Sequence, residues 1–217
     1  MPEGNVKRVY FVRHGETCAN RRHIHQAPEE PLSDLGRAQA KAVAPLLAEE
    51  GIDTLACSPF VRARQTAEII GQELDIPHTI IDGVEEFRRP RSLYGKSHFN
   101  FGSFTYLLSL YRHRTEPDWD NEGAENLFQV RNRIKNAQQA IASLHGERVA
   151  VVSHAVFIDM FTQMVCADRD LKLREFVSGL LGAKKLPNTG IVAFDVDLMA
   201  PDGTCRWWYV DPNTAVE

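Results

Sequence analysis

Val9-Tyr10-Phe11-Val12-Arg13-His14-Gly15-Glu16 decides how this chain is read, because four apolar residues run without interruption into a histidine followed by a glycine. A short apolar run rich in β-branched and aromatic residues is the pattern of a strand buried on both faces, as in a parallel sheet covered by helices. The histidine then stands at the strand's exit, where an imidazole can act as a nucleophile. Val149-Ala150-Val151-Val152-Ser153-His154 repeats the arrangement, with a helical stretch following from Phe157. If the two strands are parallel neighbours, both histidines open on the crevice at the carboxyl ends of the strands, where open α/β sheets bind ligands.

Outward from these two strands, the chain alternates between strand and helix patterns. Strand 8–12 leads through a loop to a helix over 33–50, opened by Ser33 or Asp34, stopped by Gly51 and bent by Pro45. Strand 53–57, helix 59–74 and a short strand at 78–81 follow. A helix over 124–145 leads into strand 148–153, helix 155–167 and a further helical stretch near 170–181. Ile191 to Asp197 and Cys205 to Val210, separated by Pro201-Asp202-Gly203, read as a hairpin. The alternation predicts an α/β fold, a three-layer sandwich in which helices flank a mainly parallel central sheet, with the hairpin at its C-terminal end. Residues 87–123 interrupt it with a long stretch rich in aromatics (Phe99, Phe101, Phe104, Tyr106, Tyr111, Trp119), expected as a helical, lid-like insertion. At 217 residues and 43% hydrophobic content, residues 1–217 are expected to form one domain.

Composition narrows the function classes. A net charge of -4 and a pI near 6.1 argue against a nucleic-acid partner, which calls for a net basic face. No apolar run approaches the roughly 18 residues of a membrane span, and the N-terminus lacks the apolar core of a signal peptide. Cys18, Cys57, Cys166 and Cys205 lack metal-like spacing, and the missing secretory signal makes free thiols and a cytoplasmic location the expectation.

Two further segments supply polar groups. Ser58-Pro59-Phe60-Val61-Arg62-Ala63-Arg64-Gln65-Thr66-Ala67 opens a helix, with Ser58 as the expected N-cap, Pro59 in the first position and Arg62 in the first turn. Val84-Glu85-Glu86-Phe87 offers two carboxylates between that arginine and the second histidine.

Arg13-His14-Gly15-Glu16-Thr17-Cys18-Ala19-Asn20 resembles the signature of the histidine phosphatase superfamily, the phosphoglycerate-mutase-like proteins that carry a phosphoryl group on histidine. The Ser58 segment resembles the second signature, Ser-Pro-x-x-x-Arg-Ala-x-x-Thr-Ala, which points to Arg62 rather than Arg64. The resemblance implies His14 as nucleophile, Arg13, Asn20, Arg62 and a protonated His154 as phosphate ligands, and Glu86 as general acid and base, with Glu85 its competitor. Aligning Val84 with the family's leucine in Leu-x-Glu favours Glu86. Two positions depart from the pattern: Ala155 stands where glycine is usual, and Arg88-Arg89-Pro90-Arg91 replaces a small, glycine-rich sequence. The basic cluster Arg88, Arg89, Arg91 and Lys96 is expected either to bind a second anionic group on a small phosphorylated substrate or to form a solvated face.

The chemistry implied is metal-independent hydrolysis of a phosphomonoester with no cofactor. Charge spread over the phosphoryl oxygens is stabilised by arginines, whose planar forks bind phosphate bidentately. Mutase-type transfer is the alternative, although mutases resembling this chain are longer and carry an extended Glu-x-x-Tyr-Gly segment. A non-catalytic phosphate-binding module is a third reading. Gly95-Lys96-Ser97 is not a P-loop, because Pro90 occupies the place of its first glycine. His23 and His25 lack a third ligand at zinc-like spacing and, with Arg21 and Arg22, are expected to make a positively charged loop beside the pocket. Ser58 and Ser153 lack the glycines of a nucleophile elbow.

Overall fold

The structure is a computed structural model that describes residues 6–166, 186–201 and 204–210. The expected helical stretch near 170–181 and the turn residues Asp202 and Gly203 lie outside the described residues. Among the described residues, six strands, β1 (Val6–Arg13), β2 (Thr54–Cys57), β3 (His78–Ile80), β4 (Arg148–Ser153), β5 (Ile191–Asp197) and β6 (Trp207–Val210), form one sheet in the order β3-β2-β4-β1-β5-β6. The pairs β3/β2, β2/β4 and β4/β1 are parallel, while β5 runs antiparallel to β1 and β6 antiparallel to β5. Helices α1 (Cys18–Arg21), α2 (Asp34–Glu49), α3 (Val61–Leu74), α4 (Phe101–Arg112), α5 (Leu127–Ala142) and α6 (Ala155–Met164) connect or cover them.

Strand alternation divides the core into two layers. Val9, Phe11, Val149, Val151 and Phe194 pack with the apolar faces of α5 and α6, whereas Tyr10, Val12, Ala150 and Val152 pack with α2 and α3 on the other face. This is the expected three-layer arrangement, and it places β1 and β4 side by side with Arg13 opposite Ser153.

Local chemistry accounts for the element boundaries that differ from expectation. Helix α2 is capped by Ser33, whose Oγ accepts from Gly36 N at 3.1 Å. Helix α5 starts at Leu127 rather than 124, because Asn126 and Gln129 form a reciprocal capping box. Ser58 is not the N-cap of α3: that residue is Phe60, whose N–H donates to Ser58 Oγ at 3.3 Å, and the same hydroxyl is bonded to His154 Nε2 at 2.8 Å. A short helix, α1, capped reciprocally by Thr17 and Asn20, occupies part of what reads as loop.

The expectation of four free thiols is overturned at one pair. Cys166, just after α6, and Cys205, just before β6, form a disulfide with Cα atoms 5.3 Å apart across 39 residues of sequence, a separation that spacing alone does not reveal. Cys18 and Cys57 are free. Cys205→Ser is expected to cost about 3 kcal/mol, mainly by releasing the unfolded chain, and to lower Tm by roughly 6–12 °C without reductant. Differential scanning calorimetry with and without reductant checks this, and identical melting of variant and wild type would contradict the bond's contribution.

Candidate active site

The two strand exits bring their histidines together. His14 N donates to Ser153 O at 3.0 Å, and the rings of His14 and His154 lie 5.1 Å apart, both buried. The loop after His14 is pressed against the start of α2: a Cβ on Gly15 would meet Gly36 O at 2.3 Å, so only glycine allows the approach. Thr66 Oγ1 of α3 fixes the same loop by accepting from Gly15 N at 3.1 Å.

His14 is held in one tautomer by its neighbours. A carbonyl can only accept, so Nδ1 must donate to Gly15 O at 2.7 Å; guanidinium Nε–H can only donate, so His14 Nε2 must accept from Arg62 at 3.2 Å. Both bonds require a neutral ring with its lone pair on Nε2. Burial, then the charges of Arg62 and Arg13, hold the imidazole well below its usual pKa, against a smaller opposing effect of the Gly15 carbonyl.

Arg62 is almost wholly buried, its Nη1 donating to Ala27 O at 2.9 Å and its guanidinium 5.1 Å from the Phe60 ring. Burial lowers its pKa to about 10, partly opposed by Glu86, so it stays cationic at neutral pH. Arg13 lies on the other side of His14 in sequence and donates through Nη1 to Leu186 O at 2.6 Å. Its Nε is buried with no hydrogen-bond partner among the described residues, and the same holds for His154 Nδ1. Buried polar atoms are normally satisfied, so two orphans on flanking groups mark a place where a polar ligand fits.

The protonated state expected of His154 beside a phosphate is opposed by its protein surroundings alone. Burial first, then the charges of Arg62, His14, Arg133 and Arg13, depress its pKa well below the usual value, so the ring is neutral. The negative charge of a phosphoryl group acts in the opposite direction. Asn20 is at the rim, its Oδ1 accepting from Thr17 N at 3.2 Å in the α1 cap and from Asn188 Nδ2 at 3.4 Å.

The two candidate acids turn to different surroundings. Glu86 Oε1 accepts from Phe87 N at 2.9 Å and from Phe157 N at 3.1 Å, which seats the carboxylate at the N-terminus of α6 next to His154, and its charge is felt by both Arg13 and Arg62. Glu85 is committed elsewhere: Oε2 accepts from Gly83 N at 2.8 Å, and the carboxylate pairs with Arg133 at 3.7 Å and Arg88 at 3.4 Å. Glu85 lines a separate cavity of about 980 Å³ together with Arg133 and Glu125.

Arginines, two histidines and a carboxylate thus gather around the ends of the parallel strands β1 and β4. A sequence model of the histidine phosphatase superfamily, branch 1, matches residues 9–178. The chain belongs to the histidine phosphatase superfamily. A probable phosphoglycerate mutase of Shigella dysenteriae is 29% identical over 176 residues, covering 76% of this chain and 80% of that protein. An adenosylcobalamin/alpha-ribazole phosphatase of Salmonella typhimurium is 38% identical over 81 residues, a match spanning 36% of this chain and only 40% of that relative. The solved mycobacterial glucosyl-3-phosphoglycerate phosphatase shares the fold with a TM-score of 0.71 at 22% identity, over 94% of this chain and 97% of its own.

Within this histidine phosphatase framework, a second cavity of about 620 Å³ is lined in part by Phe60, Tyr94, Arg88, Arg91, Glu29 and Glu122. Phe60 links it to the buried cluster, since its ring packs edge-on against His154 at 5.2 Å as well as against Arg62. The expected positive loop at residues 21–25 is corrected at His25. Its Nε2 is bonded to Ser103 Oγ at 2.8 Å, and burial, Arg89 and His98 push its pKa down to about 3, leaving it neutral and tying the loop to α4.

Sequence reading missed Ser58 as the partner of His154 and Asn188, which donates to His14 O at 3.0 Å. Ser58 was visible in its motif but read as a helix cap. Asn188 stands 174 residues from His14 with no local pattern to mark it.

Proposed function

We propose that this protein is a phosphomonoesterase that transfers the phosphoryl group first to His14 and then to water. The observation that carries the proposal is the buried, neutral His14, whose Nε2 lone pair faces the Nε–H of Arg62 while Nδ1 is tied to Gly15 O. A phosphoryl group entering beside Nε2 would displace that contact and take the Arg62 donors itself. Arg62 and Arg13 then offset the charge on the equatorial oxygens, and the unpartnered Arg13 Nε and His154 Nδ1 offer further hydrogen-bonding positions. With the Ser58 hydroxyl donating to Nε2, His154 presents Nδ1–H to the phosphate. Asn20 at the rim adds an amide donor.

Glu86 takes up a proton as the negative charge of the phosphate enters beside it; Nε2 then attacks phosphorus in line, the bond to the leaving oxygen breaks, and Glu86 passes its proton to that oxygen. Glu86, now a carboxylate, takes a proton from water, whose oxygen attacks the phosphohistidine and returns His14 to its neutral form. The arginines supply the positive charge throughout, so turnover of an aryl phosphate is expected to persist in the presence of a chelator. Abolition by chelation would sink the mechanism.

Glu86 and Glu85 separate by variant. Glu86→Gln is expected to lower kcat by about 10²–10³-fold on an alkyl phosphate, whose leaving group needs the proton, and far less on p-nitrophenyl phosphate. Glu85→Gln is expected to lower Tm by loosening the Arg133 pair while leaving that leaving-group dependence intact. The reverse pattern would move the acid role to Glu85.

Arg91 supports a substrate whose leaving group carries a second anion: it lines the neighbouring cavity, where Glu29 and Glu122 offset part of the positive charge and Arg88 is already paired with Glu85. Arg91→Ala is expected to raise KM for such a substrate about tenfold without changing KM for p-nitrophenyl phosphate. Equal effects on both substrates would contradict this assignment. Transfer between two substrate hydroxyls is a second reading, favoured by the similarity to a protein named a probable phosphoglycerate mutase. A requirement for a bisphosphate primer would select it.

A further inference from the structure

Helix α4 buries one face and leaves another apolar face uncovered. Ser103, Tyr106 and Leu110 turn inward, whereas Phe101 is 81% exposed, Phe104 59%, Leu108 55% and Tyr111 45%. At about 100° per residue these four fall in one narrow stripe along the 12-residue helix. With Phe99 and Leu107 alongside, the exposed area is about 700 Å², taking about 200 Å² per side chain, which exceeds the patch typical of a monomer.

We propose that this stripe is the contact between two copies of this chain, packed antiparallel through α4 about a twofold axis. Two features select a second copy as the occupant. A stable interface buries about 800 Å² per partner, and the stripe supplies most of that from apolar side chains alone. The spacing is also self-complementary: Phe101 and Tyr111 lie equally far from Tyr106 along the helix, as do Phe104 and Leu108. An antiparallel twofold pairing therefore sets Phe101 against the second copy's Tyr111 and Phe104 against its Leu108, the isologous pattern of a closed dimer. Because Ser103 on the inner face holds His25 at 2.8 Å, the contact would also brace the insertion beside the site.

Sedimentation velocity of the full chain tests this. A species near twice the chain's 24.5 kDa is expected at micromolar concentration. Phe104→Glu alone, and Leu108→Lys alone, are expected to weaken dimerisation at least 100-fold, each by facing apolar surface with a charge, and both sites are exposed enough to leave folding and aryl phosphate turnover intact. The double variant Phe104→Glu with Leu108→Lys is expected to dimerise again, since opposite charges would face each other across the axis. A wild type that stays monomeric to 100 µM, a dimer that survives both single variants, or single variants that fail to separate while losing binding to lipid vesicles would each overturn the proposal. None of these outcomes depends on turnover, so failure of the dimer and failure of the phosphatase reading are distinguishable.

Discussion

His14→Ala is expected to lower kcat on any phosphomonoester by about 10⁴-fold or more, because no other described nucleophile shares its position between Arg13 and Arg62. The residual rate would come from the phosphate-binding groups alone. The same variant carries a stability readout with a definite sign. The folded pKa of His14 is depressed, so the unfolded chain binds more protons as pH falls through the unfolded value near 6.5, and wild-type stability drops there. Removing the imidazole removes that linkage. The stability cost of His14→Ala, measured by denaturant unfolding, is therefore expected to shrink between pH 8 and pH 5. A cost that grows on acidification would mean that the folded ring carries the proton, and the neutral-nucleophile assignment would fail.

Arg62→Ala is expected to lower kcat/KM by about 10³-fold, the scale for removing an oriented cationic donor from a site of developing charge. Arg62 orients His14 through Nε and would hold the phosphoryl group, so kcat and KM should both change. Arg62→Lys separates the two contributions. It retains a positive charge but lacks the planar fork, and its activity is expected to fall between wild type and alanine. Lysine that restores full activity would show that charge alone suffices and that the bond to His14 Nε2 has no role.

The framework was legible because its signals were local and periodic. The runs before His14 and His154 read as strands, and the structure pairs them as parallel neighbours; the helices over 34–49 and 61–74 also lie close to their expected spans. What escaped were relations set by distant parts of the chain. The choice between Glu85 and Glu86 depends on which side each carboxylate turns to, and the deciding partners, Arg133 and the α6 N-terminus, are remote in sequence. Ser58 satisfied a capping pattern, yet its hydroxyl is used by His154, 96 residues away. The positive charge assigned to His25 was lost to burial against Ser103, and the Cys166–Cys205 bond has no spacing signature. The aromatics of residues 87–123 do not by themselves say which of them are inside: only the folded helix puts Tyr106 in the core while Phe101 and Phe104 face outward.

The most direct test of the central claim is to trap the phosphorylated protein. Rapid mixing with substrate, quenching in alkali where phosphohistidine survives, and peptide mass spectrometry locate the phosphoryl group. A burst of modification on His14, assigned to Nε2 by ³¹P NMR and absent from His14→Ala, is the predicted result. Turnover without any trapped intermediate, or a phosphoryl group on Nδ1 or on another residue, would contradict it.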